Sequence, residues 1–227
     1  AACSSGDINN APSTTVSNAA SPPPAGNDDD ICASYVKSGQ TISGSADGNG
    51  NCTNGSAFVG PNNNLTVDLL IPAMPDGGAH IFTSSLFVGD TYRTRADLAA
   101  AGITKGGDGP TLTIEPGATL ASQTNKDFVI INRGSQILAN GTIDKPITFT
   151  SVSDINQTVG PEDVQQWGGI VINGFGVSNK CAYDGTRGEP GFALRADTEC
   201  SIEAEGSAGD DESQYGGDND DDDSGIL

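Results

Sequence analysis

Residues 112–120 read Leu112-Thr113-Ile114-Glu115-Pro116-Gly117-Ala118-Thr119-Leu120. Apolar and polar side chains alternate on both sides of a Pro-Gly pair, which is typical of two short strands joined by a tight turn. Glycine suits that turn because it adopts positive φ without a clash from Cβ. The stretch therefore predicts a strand, a corner and a second strand.

The same spacing recurs along the chain: an aliphatic residue, a glycine three residues later, and another aliphatic residue three residues after that. The four copies are Val36-Gly39-Ile42, Ile114-Gly117-Leu120, Ile131-Gly134-Ile137 and Val171-Gly174-Val177. Apolar residues at alternate positions predict strands with one buried face: Leu112, Ile114, Val129, Ile131, Ile147, Phe149, Ile170 and Ile172. Stacked strand-turn-strand units predict an all-β solenoid, a parallel β-helix. A sandwich of antiparallel hairpins is the alternative.

Several segments resemble, in order, a family of secreted bacterial right-handed parallel β-helix proteins, often lipoproteins, of marine and aquatic bacteria. These segments are residues 112–120, 131–135 with 139–142 and 145–151, 167–174, and 215–217 with 224–227. The resemblance implies a right-handed coil and an exported protein, secreted or at the outer surface of a Gram-negative bacterium. Proteins of this kind continue beyond the last segment, so we expect the strand edge at Leu227 to meet more chain or a partner.

The chain divides into three regions by composition. Residues 1–31 are rich in Ser, Thr, Asn, Ala and Pro, which predicts a polar N-terminal arm or tether. Residues 32–109 are expected to form a β-rich region with the first rungs or a cap. Residues 110–227 are expected to form β-helix rungs with a disulfide-bounded insertion and an acidic C-terminal loop.

Charge and hydropathy exclude some classes of partner. Thirty acidic residues against ten basic ones give a net charge of -20, which repels nucleic-acid phosphates and anionic lipids. We therefore expect no nucleic-acid partner. No stretch reaches the roughly 18 apolar residues of a membrane span, so membrane attachment would need a lipid anchor. Only 5% aromatic residues beside 31 glycines disfavour a helical bundle.

Four of the five cysteines bracket polar loops. Cys32 and Cys52 flank one loop, and Cys181 and Cys200 flank another, so these are candidate disulfides of an exported protein. Four cysteines allow three pairings, so the sequence leaves the connectivity open. A zinc site is the alternative, although the chain has no C-x-x-C spacing and a single histidine.

The fifth cysteine, Cys3, follows Ala1-Ala2 near the start of the chain. This resembles the end of a bacterial lipobox, so Cys3 is a candidate for lipidation. The alternative is an ordinary signal-peptidase cut before Ala1, with Cys3 paired to another cysteine or to another subunit.

Two sets of acidic and amide side chains are candidate calcium ligands. Residues 201–227 hold ten of the thirty acids and no Lys or Arg. Carboxylates repel one another unless a cation intervenes, and Ca²⁺ takes six to eight oxygens. The first set is Asp218, Asp220, Asp221, Asp222 and Asp223, and the second is Asp47, Asn49 and Asn51. The alternative for both is a solvated acidic loop.

Enzymatic sites are less clearly indicated. His80 has no recognisable partner for nucleophilic catalysis. By analogy with polysaccharide lyases built on parallel β-helices, Arg133, Arg187 or Arg195 would be a candidate base, but nothing in the sequence places one beside an acidic cluster. Trp167 is expected to pack at a rung corner, with stacking on a sugar as the alternative. We therefore predict that the chain is not an enzyme.

Together these features predict a non-catalytic structural or adhesive protein outside the cell. In its sharpest form, the hypothesis is a filament subunit that self-associates and is stabilised by Ca²⁺. The alternative is a surface-tethered β-helix that binds or cleaves polysaccharide.

Overall fold

The structure is a computed structural model that describes residues 31–60, 62–204 and 213–227. The predicted arm lies outside these residues except for Ile31, and so does Cys3. The strands and helices are β1 (Ser34–Lys37), β2 (Gln40–Ser43), β3 (Ser45–Ala46), β4 (Cys52–Asn54), β5 (Leu69–Ile71), β6 (His80–Phe82), β7 (Leu86–Val88), α1 (Arg95–Ala101), β8 (Thr111–Ile114), β9 (Thr119–Ser122), β10 (Phe128–Ile131), β11 (Gln136–Leu138), β12 (Thr148–Ser151), α2 (Val152–Ile155), β13 (Gly169–Ile172), β14 (Tyr183–Asp184), β15 (Ala193–Leu194), β16 (Ile202–Glu203), β17 (Gln214–Tyr215) and β18 (Gly225–Ile226).

Most of the longer strands stack in three sheets. Sheet A has the order β3-β4-β6-β9-β12, sheet B has β7-β10-β13, and sheet C has β5-β8-β11-β18. All neighbours within these sheets are parallel except β3 and β4. The chain visits A, B and C in turn, so β6-β7-β8 and β9-β10-β11 are successive rungs. The predicted parallel pairing between rungs is confirmed, and strands from both sides of residue 109 share these sheets.

The core runs through the stack where equivalent side chains meet. Leu112 pairs with Leu69 in the rung before and with Ile137 in the rung after, and all three are almost fully buried. In β8 burial alternates as predicted, because Leu112 and Ile114 are buried while Thr111 and Thr113 are only partly covered. Each aliphatic position is thus packed against the same position one rung away.

Two copies of the glycine spacing form corners, but not equivalent ones. Gly117, with φ of 92°, turns the chain from β8 in sheet C to β9 in sheet A. Gly134, with φ of 90°, turns it from β10 in sheet B to β11 in sheet C. The distance between these copies is therefore a step from one corner to another, and it does not measure the repeat from one rung to the next.

The other two copies do not form corners of this kind. Val36, Gly39 and Ile42 lie in an antiparallel hairpin of β1 and β2, and Ser38 and Gly39 both have positive φ as a two-residue hairpin turn requires. In the fourth copy Val171 stacks on Ile130, one residue out of step with the third copy. Local spacing does not distinguish a hairpin from a rung corner because both need a glycine-type turn.

Sheet B departs from the predicted one-sided burial. All three residues of β7 are buried, and so are Val129, Ile130 and Ile131 of β10. Since successive strand residues point to opposite faces, both faces of this sheet are covered there. Ile147 also departs from prediction, because it precedes β12 and lies outside any strand.

The hairpin of β1 and β2 packs against the first rungs. The buried Tyr35 donates its hydroxyl hydrogen to the carbonyl oxygen of Phe58. The two rings meet edge to face with centroids 5.1 Å apart, and Phe58 contacts Phe82 of β6 in the same way. The predicted Cys32–Cys52 disulfide is present and joins the hairpin region to β4.

Removing the Cys32–Cys52 disulfide should lower the free energy of unfolding. The two cysteines are 20 residues apart. On the chain-entropy model, a disulfide that closes a loop of this size stabilises the folded state by about 3 kcal/mol, because it lowers the entropy of the unfolded chain. The double variant Cys32→Ala with Cys52→Ala should show this loss in urea unfolding. In the same measurement, a reductant should lower the wild-type midpoint but not that of a fully cysteine-free variant. If the reductant leaves the wild-type urea midpoint unchanged, the prediction is contradicted.

Two long insertions meet at the corner between sheets B and C. Residues 89–110, between β7 and β8, contain α1, which begins with a capping box of Thr94 and Asp97. Residues 173–224, between β13 and β18, contain the hairpin of β14 and β15 inside the confirmed Cys181–Cys200 disulfide. The insertions are tied together because Arg95 forms an ion pair with Asp218 at 2.7 Å. This corner holds the polar groups described next.

Candidate functional site

The acidic C-terminal segment is fixed largely by bonds from backbone amides. One oxygen of Asp222 accepts a hydrogen bond from the amide of Gly106 at 2.6 Å, and the other accepts one from Phe175 at 3.1 Å. Asp220 accepts one from the amide of Val177 at 2.8 Å. The carboxylates thus join the end of the second insertion to the first insertion and to the start of the second.

The second predicted set of calcium ligands, Asp47, Asn49 and Asn51, is held together by hydrogen bonds within its own loop. Asp47 accepts hydrogen bonds from the amides of Asn49 and Asn51 and from the Asn51 side chain, at 2.7 to 3.1 Å. These bonds, that of the Asn51 side chain first, lower the pKa of Asp47. The loop is therefore ordered by hydrogen bonds that need no cation.

The structure does not bring the predicted calcium ligands together. Within residues 31–60, 62–204 and 213–227, no three His, Cys, Asp or Glu side chains are grouped so that they could hold a metal ion. The residues do not fit a preformed calcium cage, because the carboxylates of Asp47, Asp218, Asp220, Asp222 and Asp223 already accept hydrogen bonds from other groups of the chain. Calcium binding stays a prediction.

Variants of two neighbouring aspartates, Asp222 and Asp221, distinguish a structural role of these carboxylates from a role in calcium binding. Asp222→Ala should lower the free energy of unfolding by about 1–3 kcal/mol, because the amides of Gly106 and Phe175 lose their acceptor. Asp221→Ala, at an exposed position, should leave stability in chelator unchanged. Thermal unfolding with chelator and with millimolar calcium measures both effects. A calcium-dependent rise in Tm that Asp221→Ala abolishes would support calcium, and no rise in the wild type would contradict it.

Arg133, one of the candidate bases, is a buried structural group. It is the second residue after the end of β10, and it is only 2% exposed. One guanidinium nitrogen donates to Ser201 Oγ at 2.8 Å and to the Gly216 carbonyl at 2.6 Å, and the other donates to the carbonyl of Tyr92. Burial lowers its pKa, against the opposing effect of the nearby Glu199 carboxylate. The reading of Arg133 as a free base is therefore not supported.

The other candidate catalytic groups lie elsewhere. Arg195 is exposed and paired with Asp197 at 2.9 Å, and Arg187 is exposed on the disulfide-bounded insertion. His80 is fully buried in β6, where Nε2 contacts the Pro72 carbonyl at 2.9 Å and burial lowers its pKa. Trp167 lies just before β13 and stacks on Phe149, with ring centroids 6.1 Å apart. The structure brings none of the four into one site.

A small polar cavity opens beside Arg133 at the corner of sheets B and C. This corner cavity has a volume of about 190 Å³ and is lined in part by Thr66, Asp90, Tyr92, Asp108, Arg133 and Ser135. Ser135 is 1% exposed. Its Oγ and the Nε of Arg133 have no hydrogen-bond partner in the described part of the chain. Buried polar atoms are usually satisfied, so both atoms call for a partner that the described residues do not supply, such as water or a ligand.

Two asparagines support the same corner, and the sequence analysis did not single them out. Asn132 and Asn173 each follow a strand of sheet B and are 2% exposed. The Asn173 amide donates to Asn132 Oδ1 at 3.4 Å, and the Asn132 amide donates to the Gly89 carbonyl at 3.0 Å. The sequence signal was the repeated order of aliphatic strand then Asn, in Ile131-Asn132 and Ile172-Asn173. This stack holds the turn that carries Arg133 and Ser135.

Comparison with known proteins identifies one related group. A family model described as a pectate-lyase-like β-helix domain matches residues 90–227. The matched range begins at the first insertion and includes α1, the Asn stack and most of the corner cavity. No curated protein and no solved structure matches the chain.

Proposed function

The chain belongs to the family of pectate-lyase-like β-helix domains, and on that basis we propose that it is an extracellular protein that binds polysaccharide without cleaving it. The proposal takes the coil to be right-handed, because parallel strands joined by crossover connections are right-handed in nearly all proteins. The observation that carries it is the corner cavity, because two of its lining residues, Arg133 and Ser135, carry buried polar atoms that have no hydrogen-bond partner among the described residues.

Two disulfides support a location outside the cytosol. Cys32–Cys52 and Cys181–Cys200 both form, and such bonds persist mainly in oxidising compartments. Among the described residues, no helix is both long and apolar enough to cross a membrane. Secretion, or display at the outer surface of a Gram-negative cell, is the corresponding proposal.

Binding without cleavage is supported by what the candidate catalytic groups already do. Arg133 is engaged with two carbonyl oxygens and Ser201, and His80 is sealed in the core. A general acid or base must reach the proton that it transfers. Neither Arg133 nor His80 is free to do so, which favours binding without cleavage.

The test is a panel of soluble neutral and acidic polysaccharides. Affinity electrophoresis measures binding, and an assay for new reducing ends measures cleavage. At least one polysaccharide should retard the protein while no reducing ends appear. If none retards it, the binding proposal is wrong, and if reducing ends accumulate in proportion to enzyme concentration, the protein is a polysaccharide-cleaving enzyme.

The filament hypothesis stays a prediction with its own test. A structural or adhesive subunit that self-associates with calcium should form regular filaments in millimolar calcium, and these should fray after chelation. Electron microscopy of the protein as released from cells distinguishes the cases, because single particles under both conditions contradict the hypothesis. Lipidation at Cys3 is tested on the same material by mass spectrometry.

A further inference from the structure

We infer that the corner cavity binds one uncharged sugar residue of the polysaccharide and discriminates against acidic sugars. This inference rests on the proposed function and specifies its ligand. It is based on two buried polar groups that line the cavity (Arg133 and Ser135), on two acidic residues that also line it (Asp90 and Asp108), and on the volume of the cavity.

Two residues that line the cavity carry unpaired polar atoms, one of them a donor and the other a group that both donates and accepts. Arg133 Nε–H is a donor only, and the Ser135 hydroxyl serves as either. Both atoms are buried and without a partner in the described residues. The other guanidinium nitrogens are bound to Tyr92, Ser201 and Gly216, so Arg133 is held in place while its Nε has no partner among the described residues. Adjacent hydroxyls of a sugar ring match these two groups.

The mouth of the cavity is acidic. Asp90 and Asp108 line it and are exposed. Asp108 Oδ2 accepts hydrogen bonds from Thr104 and Lys105 at 2.8 to 3.1 Å. Burial alone would raise the pKa of Asp108, but these bonds lower it overall. The carboxylate is therefore ionised at neutral pH and fixed in position, ready to accept a sugar hydroxyl.

The charges select an uncharged ligand. An anionic ligand would meet the two mouth carboxylates in a protein of net charge -20, and a cationic one would meet Arg133. Unfavourable charge pairs reduce affinity and slow association. A neutral polyhydroxyl ring avoids both penalties and hydrogen-bonds to both ends of the cavity.

The size of the cavity limits what enters. Its volume of about 190 Å³ lies below the ~300 Å³ at the lower end of drug-sized pockets. A single sugar ring fits this space better than an oligosaccharide. The rest of the polymer would therefore lie outside the cavity, near Thr66 and Tyr92 at its rim.

The inference is tested with two cavity variants and one control. Ser135→Ala removes one hydrogen-bonding group and should weaken binding of a neutral polysaccharide by about fivefold to tenfold. Thr66→Trp fills the exposed rim and should weaken it by more than about tenfold. Ser153→Ala, on α2 and away from the cavity, should bind like wild type. Thermal unfolding without sugar checks that all three variants are folded.

A direct readout does not depend on finding the natural polymer. In NMR spectra of the wild type, a panel of neutral monosaccharides at millimolar concentration should shift the Arg133 Nε–H resonance. The corresponding uronic acids should do so at least about tenfold more weakly at low salt, with a smaller difference at high salt.

The outcomes separate the inference from the proposed function. Polysaccharide binding that both cavity variants retain would overturn the cavity as the site but leave the function standing. No polysaccharide binding together with a sugar-specific shift at Arg133 would overturn the function but leave the cavity standing. An Arg133 resonance that no sugar moves, or that uronic acids move as strongly as neutral sugars, would overturn the inference.

Discussion

Replacing Leu112 with alanine should lower the free energy of unfolding by about 3–5 kcal/mol. Leu112 is fully buried at the centre of sheet C, between Leu69 of one neighbouring rung and Ile137 of the other. Removal of its side chain leaves a cavity bounded by rigid strands on two sides, which cannot collapse easily to fill the space. The loss therefore lies at the upper end of the range for leucine truncation.

Thr113→Ala is the matched control, because Thr113 is the next residue of the same strand and points away from the core. It should change the unfolding free energy by less than about 1 kcal/mol, within the range of strand preferences. Urea unfolding followed by circular dichroism measures both variants. Equal losses for Leu112→Ala and Thr113→Ala would mean that the strand faces are assigned incorrectly.

The second large effect is expected from Arg133→Met. Methionine keeps much of the apolar stem but leaves the Tyr92 carbonyl, the Gly216 carbonyl and Ser201 Oγ without their donor. Buried acceptors without partners cost about 1–3 kcal/mol each, less what entering water recovers. We expect a loss of about 2–4 kcal/mol and weaker docking of both insertions at the corner.

Arg133→Lys and Arg195→Met provide the comparison. Lysine keeps the charge but lacks the guanidinium fork, so Arg133→Lys should recover only part of the loss. Arg195 is exposed, so Arg195→Met should leave the urea midpoint unchanged. Hydrogen exchange at residues 89–110 and 213–224 reports the docking directly. If these segments remain as protected in Arg133→Met as in wild type, Arg133 does not hold the corner together.

The sequence pointed to only some of the residues of the candidate site. Arg133 was indicated only by analogy with polysaccharide lyases, and its role depends on partners 41, 68 and 83 residues away. The acidic segment stood out by composition, yet its aspartates accept bonds from the amides of Gly106, Phe175 and Val177, which lie 43 to 116 residues away. Pairing of Asn132 with Asn173 across rungs follows from the register of β10 and β13, which the glycine spacing misplaced by one residue.

The sequence by itself determined the features that depend on neighbours along the chain. Alternating apolar residues specified strands such as β8, glycines at residues 117 and 134 specified corners, and cysteines flanking polar loops indicated disulfides without fixing their pairing. These follow from local backbone preferences and from which face of a strand is apolar. Only the tertiary structure decided which strands share a sheet, that Arg133 is buried, and that the corner cavity exists. Insertions of unequal length separate the strands that stack on one another. The residues that bury Arg133 and line the cavity are therefore far apart in the chain, and no local sequence pattern shows that they meet.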